Sequence, residues 1–106
     1  MRVLPIRILD ETAIVSAVAD VERLFAPMVV RILYEVGHNW MDEDSVFFRV
    51  VLSDDVGDTG KEIRKVGEAV ERALEDRLDL GAFGLRTYFN YRLLSEQAVL
   101  KEKSWA

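Results

Sequence analysis

The sequence predicts a small α/β or α+β domain in which a sheet of about three strands is packed by helices. Three observations point there. Two segments carry apolar residues at helical spacing, two others alternate apolar and polar residues with a period of two, and the helical and alternating segments follow one another along the chain. The expected order is β-α-β-α-β-α: a long N-terminal helix, a second amphipathic helix and a short C-terminal helix set between three strands.

Residues 2 to 9 read as the first strand, with Pro5 placing it at an edge or a strand start because proline donates no ladder hydrogen bond. Ile14, Val18, Val21, Phe25, Met28, Ile32 and Val36 then form a helical stripe that stays in register across Pro27. One kinked helix over residues 12 to 36 is therefore expected, about 37 Å long at about 1.5 Å per residue. Asp10 or Thr12 can cap its start and Gly37 stands where a left-handed cap residue ends helices. Its second half is apolar nearly all round the axis, interrupted only by Arg31 and Glu35.

Ser45 to Leu52 alternates, with Val46, Phe48, Val50 and Leu52 on one side and Phe47, Arg49 and Val51 on the other. That is a strand buried on both faces except near Arg49. Thr59-Gly60-Lys61-Glu62 has the form of a capping box, after which Ile63, Val66, Val70, Leu74 and Leu78 make a clean apolar face. Gly67 beside that face lets a sheet approach closely, against a cost of about 1 kcal/mol relative to alanine. After a break at Gly81 to Gly84, Leu85 to Leu94 alternates again as a strand, and Ser95 can cap a last helix running to about Lys103.

The 106 residues suit one domain, taken as 1–106, and 50% hydrophobic with 31% charged residues is the composition of a globular protein. Nineteen acidic against fourteen basic residues give a net charge of −5, which repels polyanions, so a nucleic-acid partner is not expected. Without cysteine there is no disulfide, thiolate metal site or cysteine nucleophile, and a reducing cytoplasm is the expected location. The N-terminal apolar stretch holds Arg2 and Arg7 and lacks a small-residue cleavage site, so it does not read as a secretory signal. No apolar run approaches the roughly 18 residues that cross a bilayer, so no membrane is expected.

Motifs for chemistry are sparse. The run from Val51 to Glu62 passes from a strand through glycines to Gly60-Lys61, the setting of a phosphate-binding loop, but Asp55 replaces the first glycine and Glu62 the hydroxyl residue. The plainer reading is a helix start after a solvated turn. Asp42, Glu43 and Asp44 precede the strand while Asp54, Asp55 and Asp58 follow it, roughly 25 Å away at about 3.3 Å per residue. The two groups cannot share a metal ion, and neither a metal nor a cofactor is expected. His38, the one histidine, is expected at a helix end where it can bond free carbonyls. No serine sits in a nucleophile motif.

Arg86, Tyr88, Asn90 and Arg92 share one face of the last strand, and Arg49 joins them if the strands are neighbours. Cross-strand packing, an acidic partner, an anionic ligand or RNA all use such a face. The function expected first is a non-catalytic protein-binding or regulatory module that acts as a homodimer or with another protein. Its interface is expected at Met28, Val29, Ile32, Leu33 and Val36, where a helix apolar on all sides needs more cover than one small domain supplies. The alternative is a small ligand-binding domain or enzyme around Arg49, Arg86 and Arg92, or one using His38 with a carboxylate.

Overall fold

The computed structural model describes residues 11–57, 60–79 and 84–105. Helix α1 (Glu11–Phe25) leads through a turn into strand β1 (Val29–His38), which forms a hairpin with β2 (Asp44–Leu52). Helix α2 (Gly60–Arg77) then crosses to β3 (Arg86–Leu93), and a short helix α3 (Leu94–Leu100) follows at once. The sheet order is β1-β2-β3, antiparallel between the first pair and parallel between the second. The class is α+β with three helices and a mixed three-stranded sheet, and the described order is α-β-β-α-β-α.

The single long helix over 12 to 36 does not form. Pro27 ends it: the residue before a proline is pushed out of the helical region and the proline itself has no N–H for the ladder. Beyond the turn, Val29, Val30, Ile32 and Val36 are β-branched and favour a pleated strand. A strand with apolar residues on both faces and an all-round apolar helix give the same run of letters, and pairing with β2 decides between them. Gly37 and His38 accordingly lie in a strand rather than at a helix end. The excess apolar surface that suggested an interface is mostly absorbed within the chain, since Val29 and Ile32 are core residues. Leu33 and Val36 remain part-exposed, and Met28 is exposed.

The other elements follow their patterns. Ile14, Ala17, Val18 and Val21 of α1 and Gly67, Val70, Ala73 and Leu74 of α2 are buried against one face of the sheet. There they meet Val46, Phe48, Val50 and Leu52, all with no exposed surface. Removing each such aliphatic side chain from water contributes roughly 1.5–3 kcal/mol. Gly67 is needed where α2 crosses Tyr91, because a Cβ there would come within 2.8 Å of the tyrosine ring. The Tyr91 hydroxyl sits between the Gly67 carbonyl and the Glu71 carboxylate, and burial first, then that carboxylate, raise its pKa above the usual tyrosine range.

Ser95 lies inside the first turn of α3 and does not cap it; the Glu96 carboxylate accepts the Leu93 N–H instead, at 2.9 Å. Lys101 in the left-handed region, φ 52°, ends the helix. The strand expected at residues 2 to 9 and Thr59 of the capping box lie outside the described residues, and no helix among those described is long and apolar enough to cross a membrane.

Candidate functional site

The face of the sheet turned away from α1 and α2 is where the sequence-singled residues meet. Strand alternation and register give four cross-strand rows on it: Gly37, Ser45, Arg86; Glu35, Phe47, Tyr88; Leu33, Arg49, Asn90; and Arg31, Val51, Arg92. The parallel pairing of β2 with β3 therefore brings Arg49, Arg86, Tyr88 and Arg92 onto one surface.

The last row is covered. After α3 the chain turns back across the sheet, and a 3-10 turn (Lys103–Trp105) lays Trp105 over it. The Arg92 guanidinium lies 4.3 Å from the Trp105 ring centre, and Arg31 Nε donates to the Trp105 carbonyl at 3.2 Å. Arg92 also donates to Gln97 at 3.0 Å and pairs with Glu102 at 3.3 Å, while Gln97 donates to the Glu102 carbonyl at 2.8 Å. Val51 beneath has no exposed surface.

The upper rows are open and are organised by the hairpin turn. Asn39 Oδ1 accepts the N–H groups of Met41 and Glu43, both at 2.9 Å. Its Nδ2 donates to Glu43 Oε1 at 3.0 Å and to the Tyr88 hydroxyl at 2.9 Å. This turn, with Asp42 in the left-handed region at φ 60°, projects Trp40 and Met41 outward, 81% and 67% exposed. Trp40 tilts over Tyr88 with ring centres 5.7 Å apart, and Tyr88 stacks on Phe47 at 5.3 Å. Three aromatic rings thus run along the open half of the face.

The arginines of this half are already paired. Arg49 meets Glu35 at 3.0 Å and Arg86 meets Glu43 at 3.2 Å. The Asn39 hydrogen bond first, and the Arg86 guanidinium after it, hold the Glu43 carboxyl below the usual glutamate range. Arg86 and Arg92 stand six positions apart on β3, about 20 Å at about 3.3 Å per residue, so the three arginines do not converge on one small anion. One cavity lies beside the Arg86–Glu43 pair, lined by Glu43, Gly84, Leu85 and Arg86, and others lie away from the face, between α2 and the sheet at Leu74, Leu78 and Phe89 and among Phe25, Met28, Val56 and Val66.

Comparison with protein-family models, with curated proteins and with solved structures gives no match. Function rests on this geometry. The turn after β2 is built around its own carboxylates: Asp54 accepts from the Ser95 hydroxyl at 2.9 Å, and the Glu62 carboxylate covers Gly57, where a Cβ would lie 1.8 Å from its oxygen. A carboxylate thus lies against Gly57, where it repels an anion. His38 Nε2 pairs with Asp44 Oδ1 at 3.0 Å, a half-exposed imidazole on a buried carboxylate at the hairpin's closing end, while the nearby Ser45 hydroxyl donates to the Glu43 carbonyl. Among the described residues no three His, Cys, Asp or Glu side chains are grouped to hold a metal ion.

Sequence reasoning gives Asn39, Trp40 and Phe47 no site role, and reads Glu35 only as a polar break in a helix and Glu43 only as one of an acidic run, not as partners of the arginines. Their signal is a turn-forming Asn-Trp-Met-Asp between two β-branched runs, which a helical assignment of the first run conceals.

Proposed function

We propose that the protein is a non-catalytic binding module that engages another protein chain through the open half of its outer sheet face. The observation that carries this is an aromatic row, Trp40, Tyr88 and Phe47, on a surface whose arginines are neutralised in place. Tryptophan and tyrosine supply large contact area at small conformational cost and dominate protein interfaces. A polyanion gains little where each cation already has a carboxylate partner, and the net charge of −5 opposes it further. The cavity at this end of the face, lined by Glu43, Gly84, Leu85 and Arg86, holds an arginine already paired with a carboxylate, which favours protein contact over a small anionic ligand. A chain without cysteine works in a reducing compartment such as the cytoplasm without loss of a stabilising bridge.

A photo-reactive amino acid placed at Met41 tests this in the cells that make the protein. Irradiation is expected to give a nuclease-resistant adduct with one protein chain, and a probe at Glu68 on α2 is expected to give none. A nuclease-sensitive adduct, or no adduct above the Glu68 background, would overturn the proposal.

A further inference from the structure

Among the described residues, the outer edge of β1 is protected along half its length and bare along the rest. Backbone parity is set by two observations: Ile32 N–H donates away from the sheet to Glu22 Oε2 at 2.8 Å, whereas Asn39 N–H donates to Glu43 across the hairpin at 3.0 Å. Alternation then turns the backbone groups of Tyr34, Val36 and His38 outward, with those of Leu33, Glu35 and Gly37 spent on β2. At the start of the strand a register shift between Val29 and Arg31 and the Glu22 clamp on Ile32 guard the edge, both common devices against unwanted pairing. From Tyr34 to His38 there is neither bulge, proline nor lysine, and no described residue pairs with it.

The geometry points to a second copy of this chain as the occupant, joined antiparallel about a two-fold axis at Val36. In that register Val36 faces Val36 of the other copy, Tyr34 faces its His38, and Glu35 faces its Gly37, so no like charges oppose. Each outward-facing pair exchanges two N–H to carbonyl bonds, and every bare edge residue is used. The neighbouring registers fail. Centring on Glu35 sets two carboxylates face to face, centring on Tyr34 demands the Ile32 N–H that Glu22 holds, and centring on Gly37 sets Tyr34 opposite Trp40, beyond the end of the strand. The other sheet edge suits a second copy less well, because pairing β3 with itself about Phe89 opposes Arg86 to Arg92. The result is a continuous six-stranded sheet with both aromatic faces on the same side. This pairing stands independently of the proposed function of the face.

Analytical ultracentrifugation of the full chain, beside two variants, tests it. Val36→Pro removes the central donor while leaving the ladder to β2 intact, because that N–H points away from β2. The native chain is expected at twice the chain mass, and Val36→Pro at the single mass with an unchanged far-ultraviolet spectrum. Because the chain has no cysteine, Val36→Cys reports separately: oxidation is expected to give a disulfide dimer that melts as the parent does, and Asn90→Cys on β3 is expected to stay single. A native chain of single mass at all concentrations, a dimer that survives Val36→Pro, or cross-linking at Asn90→Cys and not at Val36→Cys would overturn it. A monomer whose Tyr34, Val36 and His38 amides resist hydrogen exchange would show that this chain covers its own edge, which overturns it equally.

Discussion

The two halves of the outer sheet face are built from the same materials and put them to opposite uses. In the lower half, Trp105 lies 7% exposed over Val51, gripped by Arg31 and Arg92 from the two outer strands. In the upper half, Trp40 stands 81% exposed beside Tyr88, and the arginines turn to Glu35 and Glu43. The chain itself covers the first tryptophan and holds the second outward on a hydrogen-bonded turn. Aromatic residues buried at home contribute to folding, and those held out in an ordered setting are available for contact with another molecule.

Removing the cover has the largest expected effect. Trp105→Ala exposes Val51, frees the Arg92 guanidinium from its ring and leaves a cavity, so a loss of about 3 kcal/mol in unfolding free energy is expected in urea titration. A loss near zero would mean that the lower half is no more closed than the upper and would dissolve the contrast.

The contrast was only partly legible in the sequence. Strand β2 announces itself because its short apolar run is bounded at both ends by acidic turn residues, and strand β3 and helix α2 because each keeps one period throughout, two for the strand and 3.6 for the helix. The Arg86, Tyr88, Asn90, Arg92 face could be read for that reason. Strand β1 could not, because no acidic or glycine turn separates it from α1 and Met28, Ile32 and Val36 continue the helical stripe in register past Pro27. With β1 went the hairpin, and with the hairpin went Glu35 and Glu43, the carboxylates that neutralise Arg49 and Arg86. An arginine face read without its partners looks like an anion site. Trp105 was illegible for another cause: its position is fixed by contacts with Arg31 and Arg92, distant along the chain, and local spacing carries no trace of them.

A smaller effect is expected from acid. Glu43 titrates below the usual glutamate range in the folded chain, so its bonds to Asn39 and Arg86 stabilise the turn at any pH above that range and are lost as pH falls through the lowered value. The Trp40 indole N–H resonance is expected to shift in that acidic window and to hold still in Glu43→Gln. An identical shift in the variant would show that the turn is not what orders the open half.

The difference between the halves is tested most directly by Trp40→Ala, measured for both stability and contact. An exposed side chain that the fold does not use is expected to change unfolding free energy by no more than about 0.5 kcal/mol, while the photo-adduct formed from Met41 disappears. A large loss of stability with the adduct retained would contradict the reading, placing Trp40 among the residues that hold the fold and leaving the open half without a role in binding.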